Sequence, residues 1–327
     1  MNAVLRDESP RTARYAQVVR ISKKSEWQID RDVLGNREFD FNRNFLPAGL
    51  SRVDKIPFLS THDARLLSQI QGRTYAYVFG LVERFISAKM LDQGRAHALD
   101  DQHAMEALVR FTNDELKHQE LFRRVEQMIA DQMPLGYRQT ANPSDVARAV
   151  LAASTWAVLA LTCHIELFVQ AHYRASIGPA ETLSPLWKDV FLFHWREESQ
   201  HAILDELEWQ RDDATLSADA RDAAVDDLIA LVGAVDGILQ AQANADAGYF
   251  VAHWAGLLSA ARIQQVRDGF LKAYRWQYIV SGVSEPRFQS LLSTLVTAPQ
   301  MRRIQNALVP LAYAMPKSPT SPLPMAA

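Results

Sequence analysis

Residues 111–122 read FTNDELKHQELF, and residues 193–209 read FHWREESQHAILDELEW. Each stretch contains a Glu-x-x-His step, at residues 115–118 and at residues 198–201. On an α-helix, side chains three positions apart share one face, so the carboxylate and the imidazole of each step point to the same place. The two stretches therefore predict two helices that each offer a carboxylate and an imidazole from one face.

A lone glutamate precedes each step. The distance from this glutamate to the glutamate of the step is 32 residues in both cases, and the second set equals the first shifted by 83 positions. The two sets are Glu83, Glu115 and His118, followed by Glu166, Glu198 and His201. Six residues that obey one offset indicate an internal repeat.

The chain has helix-breaking stretches between each lone glutamate and its step, near residues 94–100 and 178–185. Antiparallel helices joined at these points bring both glutamates of a pair to similar heights, since a helix rises about 1.5 Å per residue. The 51 positions from Glu115 to Glu166 leave room for a long crossover. The pattern predicts a four-helix bundle whose donors converge on one interior site.

Glu83 and Glu166 have apolar neighbours on every side. A buried, unpaired carboxylate costs several kcal/mol or takes up a proton. Four carboxylates can neutralise and bridge two divalent cations, and carboxylate with imidazole suits iron or manganese while leaving positions open for oxygen. We therefore predict that the six repeated residues bind two metal ions about 3.5–4 Å apart. Isolated surface acids are the alternative.

The acid before each step is also repeated. Asp114 and Glu197 match at the offset of 83 and point about 100° away from the adjacent glutamates. We predict crossed pairing, with Asp114 accepting the outer N–H of His201 and Glu197 that of His118. The alternative is ordinary surface charge.

His194 stands four residues before Glu198, one turn away on the same face. Histidine is the commonest metal ligand in proteins, so His194 is predicted as a seventh ligand, on the ion bound by Glu198 and His201. A structural histidine with a hydrogen-bond partner is the alternative. No catalytic group beyond the metal ligands is predicted.

The remaining sequence predicts an all-α chain, because no window alternates with period 2. Helices are predicted over residues 61–94, 100–132, 144–176, 183–212, 217–243, 246–278 and 285–311. The predicted organisation is a mobile arm and irregular wrap (1–60), the metal-binding bundle (61–212), C-terminal covering or dimerising helices (213–314) and a disordered tail (315–327).

Composition excludes several classes of protein. A formal net charge of −3 gives no basic footprint for nucleic acid, and the single cysteine, Cys163, rules out a disulfide framework or a cysteine-based zinc site. The uncharged run at residues 149–163 is shorter than the ~20 residues that span a membrane, and predicts a buried helix. The start of the sequence has no apolar signal-peptide run, so we expect a cytoplasmic protein without membrane partners.

With Glu83 and Glu166, the two quoted stretches resemble the ferritin-like di-iron carboxylate superfamily, in which two helices each give a glutamate and two give Glu-x-x-His. His194 and the chain length resemble the bacterial arylamine N-oxygenases of the p-aminobenzoate type. The resemblance implies dioxygen activation at two irons, with manganese or a mixed pair as alternatives. It also implies oxidation of a small organic molecule, such as an arylamine, and an external electron donor. A homodimer is expected.

Other members of the superfamily give the competing hypotheses. The radical-bearing subunit of ribonucleotide reductase has a tyrosine one turn after the first histidine of the steps, where this chain has Phe122. Acyl-carrier-protein desaturases share the ligand set, so a fatty-acyl desaturase or hydroxylase is one alternative. A non-enzymatic metal-binding or ferroxidase-like protein is the other.

Overall fold

The computed structural model describes residues 9–316, and the fold is all-α as predicted: no strand forms within this range. The helices are α1 (Pro10–Ser22), α2 (Ala48–Ser51), α3 (Thr61–Ala96), α4 (Gln102–Ala130), α5 (Pro143–Leu151), α6 (Thr155–His172), α7 (Pro185–Asp213), α8 (Ala218–Ala252), α9 (Ala260–Arg275), α10 (Ser281–Val283), α11 (Pro286–Leu295) and α12 (Ala298–Leu308). Short π-helical turns at Tyr173–Ile177 and Trp276–Val280 extend α6 and α9.

The centre of the fold is a bundle of α3, α4, α6 and α7. α3 packs along α4, and α6 packs along α7. Each pair is joined by a short connection, so its two helices run antiparallel. A longer crossover that includes α5 links the pairs, as the ferritin-like order predicts. The bundle therefore places the sequence repeat in two equivalent helix pairs.

Local signals explain where the bundle helices begin. Ser60 and Asp63 form a reciprocal capping box at the start of α3. Asn142 caps α5, and Pro185 occupies the first turn of α7, where its missing N–H does no harm. α6 is buried from Trp156 to Gln170 on nearly all sides, which explains its long uncharged sequence.

Two predicted segments within the first 176 residues are corrected by the structure. A mobile arm is wrong for residues 10–22, because Ser9 caps α1 and Tyr15, Val18 and Val19 are buried against the bundle. The predicted helix 144–176 divides at residues 152–154, where Ser154 begins a new helix.

The C-terminal part of the predicted boundaries also changes. The predicted break near residue 244 is absent and α8 continues to Ala252; Gly256 (φ 115°) lies in the turn that follows. The predicted helix 285–311 divides at Val296, since Thr297 and Gln300 form a capping box that starts α12. The second correction follows from a cap that a hydrophobic pattern does not display.

Residues outside the bundle cover it on two sides. Residues 27–59 follow its surface with short helical turns, and Phe45 stacks on Trp187 with their ring centroids 5.4 Å apart. α8 packs on α6 and α3, and α9 packs on α8. The predicted division into domains stays a prediction. Of its predicted disordered tail, residues 317–327 lie outside the described part of the chain. None of the described helices is both long and apolar enough to span a bilayer.

Candidate metal centre

The seven predicted ligands lie in the middle of the bundle and are all buried. α3 supplies Glu83, and α6 supplies Glu166. α4 and α7 supply the remaining ligands, which are Glu115, His118, His194, Glu198 and His201. Residues more than 100 positions apart in the sequence thus share one interior site.

One group of donors surrounds Glu198 Oε1. His194 Nε2 lies 2.8 Å from this oxygen, and His118 Nδ1 lies 2.9 Å from it. His194 Nε2 also lies 3.3 Å from Glu83 Oε1. Glu83, His118, His194 and Glu198 each offer one ligand atom within 4.8 Å of the others, so this group could hold one metal ion.

A second group surrounds His201 Nδ1. This nitrogen lies 2.8 Å from Glu115 Oε1 and 2.9 Å from Glu198 Oε2. His118 Nδ1 lies 3.6 Å from Glu115 Oε2 and completes the group, whose four donor atoms again lie within 4.8 Å of one another. His118 and Glu198 belong to both groups, so two metal ions held here would be neighbours.

Glu166 stands outside both groups of four but contacts them. Its carboxyl group is hydrogen-bonded to Glu198. Burial raises the pKa of Glu166 well above its ordinary value, and the charges of Glu198 and Glu115 raise it further. Without a cation, these effects favour the neutral form of Glu166, and a bound cation would favour its carboxylate.

For His118, His201 and Glu198 the pKa shifts favour the charged form, whereas burial lowers the pKa of His194. Burial acts against a charge on His118 and His201, but facing carboxylates, Glu198 foremost, outweigh it and raise their pKa values well above normal. Burial also acts to raise the pKa of Glu198, yet the charges of His194, His201 and His118 and a hydrogen bond from Glu166 hold it well below normal. Positive charge in the centre is thus strongly favoured.

Three carboxylate oxygens test whether the site fits metal ions. Glu83 Oε2, Glu115 Oε2 and Glu166 Oε2 are buried and have no hydrogen-bond partner among the described residues. A buried acceptor without a partner costs about 1–3 kcal/mol, and more when it is charged. Divalent cations would satisfy these oxygens, and the donor set of carboxylates and imidazoles suits iron or manganese.

Two acids contact the histidines of the steps from outside the cluster, one of them through a hydrogen bond. His118 Nε2 and Glu197 Oε2 are 2.9 Å apart, and His201 Nε2 and Asp114 Oδ2 are 3.6 Å apart. Both contacts have the crossed arrangement that the repeat predicts, and each leaves Nδ1 facing the centre. The roles of Asp114 and Glu197 in holding metal ligands stay predictions, since these distances show contact alone.

Lys117 links these two outer acids and was not identified from the sequence. Its Nζ lies 2.6 Å from Glu197 Oε1 and 3.4 Å from Asp114 Oδ1, and it stands over the ring of Trp27 at 4.3 Å. The sequence signal that could have identified Lys117 was its position between Asp114 and His118. The adjacent cation compensates the charge of the buried Glu197 and of the half-buried Asp114.

Asp205 is a second residue that sequence reasoning missed. It is buried one turn after His201 and accepts a hydrogen bond from Thr162 Oγ1 at 3.1 Å. Burial raises its pKa well above normal, and its Oδ2 has no partner among the described residues. Its spacing of four residues from a predicted ligand was the available signal.

The position of His194 bears on which ion it would bind. It shares Glu198 with the second group but is grouped with Glu83 and His118, not with His201. His194 and His201 are seven residues apart, about 10 Å along the helix axis, so they flank Glu198 on opposite sides. The donor grouping favours an ion shared with Glu83 over the expected ion bound by Glu198 and His201, and ligation by His194 stays a prediction.

Aromatic rings enclose the histidines. Phe122, at the position of the radical tyrosine discussed above, packs edge-on against His194 with ring centroids 4.8 Å apart. Phe79 packs against the same imidazole at 5.3 Å. These rings keep water from the His194 side of the site and provide no phenol there.

Comparisons with known proteins give limited similarity. No protein-family model matches the chain, and no curated protein is similar to it. Among solved structures, R2-like ligand-binding oxidase with an aerobically reconstituted Mn/Fe cofactor is 14% identical, with a TM-score of 0.43 over 84% of this chain and 94% of that one. A variant of the same oxidase is 15% identical, with the same TM-score, over 84% of this chain and 95% of the other. The interpretation of the cluster therefore depends on its own residues.

Proposed function

We propose that this protein is a dioxygen-dependent oxidase that uses two metal ions bound by Glu83, Glu115, His118, Glu166, Glu198 and His201, with His194 as a further ligand. The observation that carries the proposal is the convergence of four glutamates and three histidines, from four helices, in one buried cluster. Two iron ions are the first choice for the metals, and two manganese ions or a mixed pair suit the same donors.

When bound, such ions supply the one-electron chemistry that dioxygen requires. The chain contributes the arrangement around them. Glu197 holds the Nε2 side of His118, so that Nδ1 faces the centre. Lys117 neutralises Glu197 from outside. Buried aromatic rings exclude water, which protects reactive species from side reactions.

The proposed substrate is a small organic molecule, with an arylamine as the first candidate. The support for an arylamine is the third histidine, since a neutral imidazole at His194 adds a donor that two-histidine sites lack. Its Nε2 lies within 3.3 Å of both Glu83 and Glu198, where a shared ion would stand. Electrons would come from an external donor, and O2 is the co-substrate.

The test uses the iron-loaded, reduced chain exposed to oxygen with p-aminobenzoate. We expect two irons per chain and formation of the hydroxylamine or nitro product. Glu198→Gln should lose both metal and turnover, because Glu198 belongs to both donor groups. Glu181→Gln is the matched control, since Glu181 is exposed and lies in the connection between α6 and α7.

Three outcomes would contradict parts of the proposal. One iron or fewer per loaded chain would contradict the two-metal site. Oxygen consumption that responds to acyl chains and ignores amines would assign the site to desaturation or hydroxylation. Iron oxidation without turnover of any organic molecule would assign a ferroxidase-like function.

A further inference from the structure

A cavity of about 510 Å³ lies between α6, α8, α11 and α12. It reaches α6 at His164, two positions before Glu166. Side chains two positions apart leave a helix in directions roughly 200° apart, so the cavity lies on the side of α6 away from the metal cluster. It is therefore a separate feature from the proposed oxidase site.

The walls of this cavity are mostly apolar. They include Leu161, Leu228, Val232, Phe288, Leu292 and Ile304. Its few polar residues are uncharged serines and glutamines together with His164, and no charged side chain lines it within residues 9–316. Its volume falls in the range of about 300–1,000 Å³ that is typical of small-molecule sites.

His164 gives the cavity a specific polar group. The side chain is buried, and its Nε2 donates a hydrogen bond to the carbonyl oxygen of Ile279 at 3.0 Å. Nδ1 of the neutral ring is then an acceptor, and it is buried without a partner among the described residues. The ring is fixed edge-on between Phe168 and Phe288, each 5.4 Å away between centroids.

Gly282 allows the imidazole to take this position. A Cβ atom at residue 282 would overlap Nε2 and both adjacent carbons of the His164 ring. Glycine therefore permits the close approach that seats the Nε2 edge of the ring against the backbone. The unpartnered Nδ1 belongs to a ring that is held in place and is itself covered by its neighbours, so a donor from the cavity reaches it by displacing the atoms that cover it.

We propose that this cavity binds an uncharged amphipathic small molecule, with an alkyl or aryl body and one O–H or N–H group that donates to His164 Nδ1. The apolar walls supply burial for the body, and the donor satisfies the imidazole nitrogen. An anionic or cationic ligand is disfavoured, because burying its charge without a charged partner is costly. The proposal does not depend on the oxidase activity.

Two matched probes test the hydrogen bond in the unaltered, metal-loaded chain. 4-Octylphenol carries the apolar body and one O–H donor, and 4-octylanisole replaces that hydrogen with a methyl group. In isothermal titration calorimetry we expect the phenol to bind about tenfold more tightly, the ratio that 1.4 kcal/mol produces. Failure of the phenol to bind, or equal affinity of the two compounds, would overturn the proposal.

Two substitutions test the location. Val232→Trp places a large ring in the cavity, whereas Val235→Trp makes the same change one turn along α8 at a residue that does not line it. We expect phenol binding to be lost in the first variant and kept in the second. Unaltered binding by a folded Val232→Trp protein would contradict the site.

His164→Phe should remove the preference for the phenol over the anisole while leaving the apolar contribution. The probe comparison in the unaltered chain stands even where this variant fails to fold. The chain's own residues 317–327 are the competing occupant, since Met315 lines the cavity. A chain ending at residue 316 that binds the phenol, while the full chain does not, would assign the cavity to that segment and overturn the proposal.

Discussion

The two helix pairs of the bundle, α3 with α4 and α6 with α7, each offer two glutamates and one histidine. They differ in the residues one turn before and one turn after the Glu-x-x-His step. Where the second pair has His194 and Asp205, the first has Phe111 and Phe122, again at the offset of 83. Phe111 stacks on His201 with ring centroids 3.8 Å apart, and Phe122 packs against His194 at 4.8 Å. Phenylalanines of the first pair thus cover imidazoles of the second.

This difference shows which part of the repeat is constrained. The donor positions of both pairs are filled by glutamate and histidine, whereas the adjacent turns are apolar in the first pair and polar in the second. The two groups of donors therefore have unlike surroundings, with His194 beside Glu83 in one and Phe111 over His201 in the other. We expect the two metal positions to differ in affinity.

The largest expected effect tests the equivalence of the two lone glutamates. Glu83→Ala and Glu166→Ala should each reduce the metal content from two ions per chain to one or fewer, because each removes a buried carboxylate from the cluster. Elemental analysis after iron loading measures this, with Glu181→Ala as the exposed control. Two ions in either ligand variant would show that the pairs are not functionally equivalent.

Asp246 is a reference acid outside both pairs. Its Oδ2 accepts hydrogen bonds from Thr74 and Tyr274, and Gln242 donates to Oδ1. Burial raises the pKa of Asp246 to about 7 against the lowering effect of these bonds. Unlike the cluster carboxylates, it has hydroxyl and amide partners and needs no cation.

The raised pKa of Asp246 predicts a pH dependence of stability. Between about pH 4 and 7 the folded state holds a proton that the unfolded state has released, so the free energy of unfolding should fall as pH rises. The total is up to about 4 kcal/mol, from about 3 pKa units at 1.36 kcal/mol each. Urea unfolding across this range should show a shallower pH slope for Asp246→Asn. Equal pH slopes of the unfolding free energy in the unaltered protein and in Asp246→Asn would contradict the attribution of this pH dependence to Asp246.

His194→Phe makes the second pair resemble the first. We expect the affinity for one ferrous ion to fall by more than about 100-fold, because losing a ligand exceeds the 10–100-fold cost of removing a ligand's outer partner. Equilibrium iron binding measures the effect, and circular dichroism checks that the helices persist. An unchanged affinity would make His194 a buried structural histidine.

The smallest effects are expected for Asp114 and Glu197, the two acids that contact the histidines from outside the cluster. Glu197 is 2.9 Å from His118, whereas Asp114 is 3.6 Å from His201. Glu197→Ala should lower iron affinity by close to 100-fold and Asp114→Ala by close to tenfold, the two ends of the usual range. Glu120→Ala, at a half-buried position of α4 where the carboxylate pairs with Arg123 and not with a histidine, is the control. The reverse order of the two effects would contradict the importance of contact distance.

Several features could be predicted from the sequence because they repeat along it or occupy single turns. The offset of 83 placed Glu83, Glu115 and their counterparts on the inner faces of four helices. The Ser60 capping box was equally visible, since its two partners are three residues apart. α1 was missed because its buried stripe is short and its surroundings are polar, although Ser9 and Pro10 form a usual helix start.

The sequence by itself determined the all-α class, the order of the bundle helices and the residues that face inward, because these follow from periodicity within each helix. Only the tertiary structure decided that His194 joins Glu83 and His118, that Lys117 links Glu197 with Asp114, and that a cavity forms beside His164. These arrangements depend on how helices distant in sequence pack together. Side-chain direction and axial height then select the partners, and no local pattern encodes them.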